Sequence, residues 1–352
     1  DVAHIADELV FRVKDKDTIG VGDLGTVKIP IEEVLSGEPI DNWYNLQNND
    51  GEETDATIHL VIEFMSAETL EKTIEVPDSY FPMRSGCKLA LYQDAHTPAS
   101  PLHDDIVLAT GEAYTPACAW RQIYDAVANA KHFIYLTGWS LHAATTLLRE
   151  DDDDKISLGE LISQKASDGV RVLAMVWNEK FSTDVTPGLM GTHDEETAEF
   201  FAGTDVQIVL VPRQKDKGSM AESMFVSTCY SHHQKCVIVD AEDPDGDERR
   251  RVVAFVGGLD LTDGRWDTPE HSLYGTLKSQ HQGDFYNKVA TVGSQVGPRQ
   301  PWHDIHSKIE GEAAKDVYQN FVERWRKQAS EQEGRLVELD EETFILEGPV
   351  PG

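Results

Sequence analysis

Cysteine is scarce in this 352-residue sequence, and no two cysteines form a Cys-x-x-Cys pair. The four are scattered and lie partly in apolar surroundings: Cys87, Cys118, Cys229 and Cys236. This usage favours reduced thiols in a cytosolic protein, with one or two disulfides as the alternative.

Long hydrophobic runs are also absent. No apolar stretch reaches the roughly 20 residues that a membrane-spanning helix needs, and from the first residues we expect no signal peptide. The sequence opens at DVAHIADELVF without a methionine, so we expect the chain to be part of a longer precursor.

Basic residues are few: 31 lysines and arginines stand against 63 acidic residues, for a net charge of −32. Such a surface repels nucleic acids and anionic lipid headgroups. We therefore expect no nucleic-acid partner, and binding to an anionic membrane would need a bridging cation. The alternative is that part of this charge serves only solubility.

The length suffices for two or more domains with their own cores. Short strand-like segments between turn-rich loops predict an all-β start: 9–13, 26–31, 43–46 and 57–64. From residue 119 helices alternate with apolar strands, which predicts a sheet covered by helices on both faces. The predicted helices are 119–130, 158–169 and 194–201, and the predicted strands are 132–138, 170–177, 206–211, 236–239 and 252–257.

A His-x-Lys-x4-Asp motif at 233–240 encloses the predicted strand 236–239. Two residues apart in an extended chain, His233 and Lys235 should point the same way, whereas Asp240 has the opposite parity and should lie past a bend. Imidazole can attack phosphorus or protonate a leaving oxygen, and an ammonium stabilises the charge that develops on phosphoryl oxygens. The motif therefore predicts phosphodiester chemistry, with a surface His-x-Lys beside a core strand as the alternative.

Neighbouring segments extend this motif into a family resemblance. GGLDL at 257–261, GRWD at 264–267, IYLTGWS at 134–140 and PWHDIH at 301–306 resemble the calcium-dependent plant phospholipases D with a C2 domain. The resemblance implies a catalytic His233, Lys235 and Asp240, with His233 and Lys235 binding substrate. It implies an α/β catalytic half with a mixed sheet, preceded by part of an all-β C2 sandwich. The predicted boundaries are 1–65 for the partial C2 domain, 66–115 for a connector, 116–328 for the first catalytic half and 329–352 for an acidic tail.

Two groups of residues are candidates for Ca²⁺. Asp15, Asp17 and Asp23 follow the spacing D-x-D-x5-D between strands, which resembles a calcium loop of C2 domains, with a solvated acidic turn as the alternative. The family resemblance further implies a structural calcium near the active site that involves Asp94, His271 and His303, although imidazole is not a ligand that Ca²⁺ prefers. We therefore expect Ca²⁺ as cofactor and peripheral attachment of a cytoplasmic protein to a phospholipid membrane.

A second His-x-Lys-x4-Asp motif is missing. The other His-x-Lys, at His306 and Lys308, has Ala313 in place of the aspartate. Because family members join two such motifs in one pocket, we expect the second half to come from the rest of the precursor or from another chain. The predicted function is hydrolysis of phosphatidylcholine-type lipids through a phosphohistidine. The alternatives are a calcium-dependent lipid-binding module with an inactive catalytic half, and a single-motif phosphodiesterase that acts as a homodimer.

Overall fold

The computed structural model describes residues 7–16, 21–66, 79–92, 107, 111, 113–149, 156–179, 190–212, 231–284 and 297–350. The chain divides into two compact units. The first consists of Asp1–Met83 and His103–Tyr114, and the second of Arg84–Leu102 and Thr115–Gly352. The stretch 66–115, which the sequence suggested as a connector, is thus divided between the two units.

The first unit contains a four-stranded antiparallel sheet whose strands follow chain order. The strands are β1 (Glu8–Lys16), β2 (Val21–Pro30), β3 (Ile40–Gln47) and β4 (Glu53–Ile62), and a short helix, α1 (Ile31–Leu35), follows β2. One face of the sheet is apolar, and buried Val27 and Ile29 alternate with exposed Lys28 along β2. The all-β start predicted from the sequence is confirmed.

The second unit is built on a mixed seven-stranded sheet in the order β5-β11-β10-β9-β6-β7-β8. Its strands are β5 (Lys88–Tyr92), β6 (Phe133–Gly138), β7 (Arg171–Trp177), β8 (Gln207–Val211), β9 (Cys236–Glu242), β10 (Arg250–Gly257) and β11 (His306–Glu310). β6, β7 and β8 run parallel, and every other pairing is antiparallel. Residues of β6 are buried throughout, as expected for a central strand covered on both faces.

Helices cover both faces of this sheet. They are α2 (Ala119–Asn129), α3 (Leu158–Ser167), α4 (Asp194–Phe200) and α5 (Glu312–Gln328). Trp120, Ile123 and Val127 recur at helical spacing and carry α2 into one apolar core, whereas Phe321 and Trp325 of α5 enter the other. Ser157 and Glu160 form a capping box that fixes the start of α3. The predicted fold class is therefore confirmed. None of the helices within the described residues is both long enough and apolar enough to cross a membrane.

The segment that the sequence suggested as an acidic tail is part of the second unit and packs against its sheet. Phe344 is 1% exposed and lies 6.1 Å from Phe133 between ring centroids. The Arg250 N–H donates to the Thr343 carbonyl, and the Ile345 N–H donates to the Arg250 carbonyl. The segment is rich in acidic residues, and its apolar residues stand at separated positions. Its composition therefore gave no indication that it packs on the core.

Candidate functional site

The His-x-Lys pair lies immediately before β9. The His233 side chain is exposed, whereas Lys235 is buried. The Lys235 ammonium nitrogen is 3.3 Å from His233 Nδ1 and donates to the His233 carbonyl oxygen at 3.3 Å. The imidazole is therefore accessible from solvent, and the buried Lys235 ammonium places a positive charge next to its Nδ1.

Asp260, in the loop after β10, is the counter-ion of Lys235. Its Oδ2 lies 3.1 Å from the Lys235 ammonium, and both side chains are almost fully buried. Its Oδ1 accepts hydrogen bonds from the backbone N–H groups of Trp139 and Ser140. Burial raises the pKa of Asp260, and the charges of Lys235 and Arg265 oppose that rise. The carboxylate thus anchors the ammonium to the loop that follows β6.

Two glycines allow β10 to meet β11 at this place. A Cβ atom at Gly257 would lie 2.5 Å from the His306 Cα, and one at Gly258 would lie 2.6 Å from the Asp304 Cβ. Neither position admits a larger residue without displacement of the neighbouring backbone or side chain. The Gly-Gly of GGLDL therefore sets how closely Asp260 and His306 approach the same site.

His306 is the residue at this site that sequence reasoning missed as a functional candidate. Burial and the Lys235 charge lower its pKa to about 4, so its imidazole is neutral near pH 7. The Leu259 N–H donates to its Nδ1 at 3.4 Å. The sequence presented His306 only as part of an incomplete second motif, and nothing in its local pattern pointed to Lys235.

Asp240 is not beside the pair, and the bend predicted before it does not exist. It lies within β9, fully buried, and its side chain enters the face of the sheet opposite to Lys235. Its carboxylate accepts hydrogen bonds from the backbone N–H groups of 131–133 and from the Arg250 guanidinium at 2.8 Å. Strand β9 continues through Asp240 because these donors satisfy a buried carboxylate without a turn.

Aromatic rings form a wall next to His233. The Trp139 ring lies 6.2 Å from the His233 ring and stacks on Trp177 at 5.9 Å. The Arg265 guanidinium lies over the Trp302 ring, 4.1 Å from its centroid, and 5.7 Å from that of Trp139. Such a wall offers an electron-rich, apolar surface to a molecule that approaches the imidazole.

The structure brings together two of the three residues suggested for a structural calcium. The rings of His271 and His303 have centroids 4.6 Å apart, and His271 Nδ1 lies 3.0 Å from Asp267 Oδ2. Asp94 lies outside the described residues. Two imidazoles alone do not suit Ca²⁺, which prefers oxygen ligands, so this site depends on further oxygen donors.

Of the aspartates suggested for the C2 calcium loop, only Asp23 has a described side chain. It lies on β2, and its carboxylate is 3.8 Å from Arg12 in a largely exposed ion pair. Asp15 belongs to β1, where its backbone pairs with Gly22. Asp17 lies outside the described residues. The regular strands therefore extend further toward the predicted loop than the sequence suggested, and the calcium assignment stays a prediction.

Comparison with known proteins agrees with this geometry. A family model described as Phospholipase D matches residues 126–350, and one described as C2 domain matches residues 1–46. Phospholipase D alpha 1 of Arabidopsis thaliana is 44% identical over 99% of this chain, and the namesake of Ricinus communis is also 44% identical over 99% of it. The chain spans 45% of the length of either relative.

Among solved structures, Nuc of Salmonella typhimurium, a phospholipase D family member, matches 69% of this chain and 94% of its own length. The identity is 11% and the TM-score is 0.32. The phospholipase D model covers more than half of the residues, including every residue of the Lys235–Asp260 arrangement. The chain therefore belongs, as its motif predicted, to the phospholipase D family.

Proposed function

We propose that this chain supplies one half of the active site of a phospholipase D, which hydrolyses phosphatidylcholine-type lipids to phosphatidic acid and the free head alcohol. The observation that carries the proposal is the contrast between His233 and Lys235. The imidazole is exposed, while the neighbouring ammonium is buried and held by Asp260. A nucleophile needs access, and an electrostatic stabiliser is most effective when it is fixed and desolvated.

In the proposed reaction, the ring nitrogen of His233 attacks the lipid phosphorus. A nitrogen–phosphorus bond forms, the bond from phosphorus to the head-alcohol oxygen breaks, and the departing alcohol takes a proton from an acid on the second half. Water then attacks phosphorus, loses its proton to the same group and releases His233 and phosphatidic acid. Lys235 neutralises the non-bridging oxygens in both steps.

The second half is part of the proposal because this sequence contains a single complete motif. Relatives that match almost all of this chain are about twice as long. Removing one member of a group that acts jointly usually costs most of the activity. The isolated chain should therefore release little head alcohol, and a later segment of a precursor or another chain should restore turnover.

Asp240 has a positioning part in this proposal rather than direct contact with the reacting atoms. Its carboxylate joins β9 to the start of β6 and to Arg250. The two strands that lead to Lys235 and to the Trp139 N–H are thereby held in register. Its contribution should appear mainly as stability.

We propose two Ca²⁺ binding sites. Asp15, Asp17 and Asp23 are the candidates in the C2 region, where the cation would offset the negative charge of the chain at a membrane. Asp94, with His271 and His303, is the candidate set in the catalytic unit. The match of residues 1–46 to a C2 domain supports the first.

The test is choline release from phosphatidylcholine vesicles. The chain is assayed alone, and after co-expression with the part of the Arabidopsis relative that lies beyond the matched region. His233→Ala in the complemented pair should reduce release to background. His232→Gln is the matched control, because the adjacent His232 ring faces the Pro212 carbonyl and Arg324 instead of Lys235.

Equal losses in the two histidine variants would contradict the assigned part of His233. Full turnover by the isolated chain would contradict the need for a second half. Sedimentation with vesicles, with Ca²⁺ and with a chelator, tests the membrane proposal separately, and Asp23→Asn should weaken the calcium-dependent fraction. Calcium-independent sedimentation of both forms would refute it.

A further inference from the structure

A second cluster of histidines and carboxylates lies in the second unit, apart from the His233–Lys235 pair. It combines His142 from the loop after β6, His193 and Glu196 from the start of α4, and Asp263 from the loop after β10. These segments are distant in sequence, and neither the proposed hydrolysis nor the predicted calcium sites use any of the four residues.

The backbone holds the three segments together. The His142 N–H donates to the Leu261 carbonyl at 3.1 Å, which joins the first and third segments. The Thr197 hydroxyl donates to the Leu141 carbonyl at 2.7 Å and accepts from the Ala143 N–H at 3.3 Å. Thr197 follows Glu196 on α4. Its two hydrogen bonds therefore hold the chain on both sides of His142 against the helix that carries Glu196.

The side chains converge on a small volume. His193 Nδ1 lies 2.7 Å from Glu196 Oε2, and His193 Nε2 lies 3.3 Å from Asp263 Oδ1. His142 Nε2 lies 3.7 Å from Glu196 Oε1, and His142 Nδ1 lies 3.9 Å from Asp263 Oδ1. One ligand atom each from His142, His193 and Glu196 can be chosen so that all three lie within 4.8 Å of one another. A single ion can therefore be reached by these side chains after small rotations.

The two rings differ in their surroundings. Burial and the neighbouring His193 lower the pKa of His142, which keeps its ring neutral. Its Nδ1 is buried and makes no hydrogen bond to any described residue. Burial also lowers the pKa of His193, but hydrogen bonds and charges from Asp263 and Glu196 outweigh this, so the net pKa is raised.

We propose that His142, His193 and Glu196 form a binding site for a zinc-like divalent transition metal, with Asp263 beside the ring nitrogens that face away from the ion. Two imidazoles and one carboxylate, with water in the fourth position, are a donor set that Zn²⁺ accepts in a four-coordinate arrangement. A carboxylate such as Asp263 on the far side of a ligating imidazole fixes the orientation of the ring. Ca²⁺ and Mg²⁺ require mainly oxygen ligands and should bind here weakly. Glu196 and Asp263 are partly exposed, which leaves a path for the ion from solvent.

Metal binding has two structural consequences. The rings of His142 and His193 are stacked, with centroids 3.8 Å apart and planes 12° from parallel. Parallel rings cannot both aim a nitrogen lone pair at one ion, so binding must separate the stack. Because imidazole binds a metal only through a deprotonated nitrogen, binding must also release any proton that His193 holds against Glu196.

The site is linked to the Lys235–Asp260 pair through the same loop. Thr262, between Asp260 and Asp263, donates to Asp263 at 3.0 Å and lies 2.9 Å from the Ser140 hydroxyl. The Ser140 N–H in turn donates to Asp260. A bound metal would tether the loop after β6, which carries His142 and Ser140, to α4, so it should stabilise the second unit.

The test is binding of Zn²⁺ alone to the purified chain, measured by competition with a chromophoric chelator, with Co²⁺ absorption as an independent readout. We expect one Zn²⁺ per chain, intense Co²⁺ d–d absorption of a four-coordinate site, no thiolate charge-transfer band and a higher melting temperature. His142→Phe, which keeps an aromatic ring against His193, should weaken binding at least tenfold, because loss of even an outer contact typically costs about tenfold. Glu196→Gln, on an exposed side chain, should do the same without disturbing the core.

His303→Ala is the matched control, because it removes an imidazole from the other histidine pair. It should leave the tight Zn²⁺ affinity unchanged. The proposal is overturned if His142→Phe and Glu196→Gln bind Zn²⁺ as the parent does, if His303→Ala abolishes the tight event, if a thiolate band marks cysteine ligation, or if Ca²⁺ at equal concentration displaces the ion. None of these outcomes depends on lipid hydrolysis.

Discussion

Asp260→Asn removes the counter-charge of a buried lysine and changes almost nothing else. The amide keeps an acceptor oxygen for the Trp139 and Ser140 N–H groups, but its NH₂ group would face the Lys235 ammonium in place of a carboxylate oxygen. The substitution therefore isolates the charge from the hydrogen bonds. We expect a large loss of stability in the second unit.

The magnitude follows from the 3.1 Å separation of the two charged atoms. At an effective dielectric constant of about 20, two unit charges at that distance attract by about 5 kcal/mol. Breaking one member of a buried pair typically costs about 3–5 kcal/mol, because the remaining charge stays desolvated. Lys235→Met should cost a similar amount, whereas the double variant leaves no unpaired charge of this pair and should lose much less than the sum.

Urea denaturation followed by tryptophan fluorescence measures this cycle, because six of the seven tryptophans belong to the second unit. The two single variants and the double variant should give a coupling free energy of at least about 3 kcal/mol. Additive effects would show that the ammonium and the carboxylate do not support each other. A Lys235→Met variant as stable as the parent would refute the buried ion pair itself.

Three further predictions concern His306, Asp240 and Phe344. The lowered pKa of His306, about 4 against an ordinary 6.5, contributes stability that is present above pH 6.5 and lost as pH falls toward 4. This pKa difference is worth about 3 kcal/mol. The unfolding free energy of His306→Gln, measured by urea denaturation from pH 7 to 4.5, should therefore depend less on pH than that of the parent. Parallel pH dependences of the two proteins would contradict this. Asp240→Asn leaves the Arg250 guanidinium without its closest carboxylate and should cost about 3–5 kcal/mol in urea denaturation, and a loss below about 1 kcal/mol would exclude a positioning part. Phe344→Ala should cost about 3–5 kcal/mol because it opens a cavity in the core, and an unchanged melting temperature would mean that the last residues are dispensable.

The elements of the second unit followed mostly from local pattern. Apolar runs of strand length, such as that of β7, and the recurrence of Trp120, Ile123 and Val127 indicated a sheet between helices. The short helix α1 was missed, because Ile31 continues the alternation of Val27 and Ile29 in β2. Strand β11 was missed as well, because its polar side chains do not show a core strand, although its backbone completes the sheet beside β10.

The site, like the fold, was predictable only in part. The spacing of His233 and Lys235 placed them together, since residues two apart in an extended segment share a side. The counter-ion was not predictable, because Asp260 reaches Lys235 through the antiparallel pairing of β9 with β10 and the close approach permitted by Gly257. The opposite parity of Asp240 also followed from the spacing, but its partners did not, because the backbone N–H groups of 131–133 and the Arg250 guanidinium come from other strands or the loops before them.

The amino-acid order by itself determined most of the strands and helices and the pairing of an imidazole with an ammonium, since each of these depends on residues a few positions apart, and the composition determined the acidic character of the chain. Only the tertiary structure decided that Asp260 pairs with that ammonium, and that His142 lies beside His193 and Asp263. Those contacts join residues tens of positions apart, and their distances depend on strand order and loop packing, which no local pattern records.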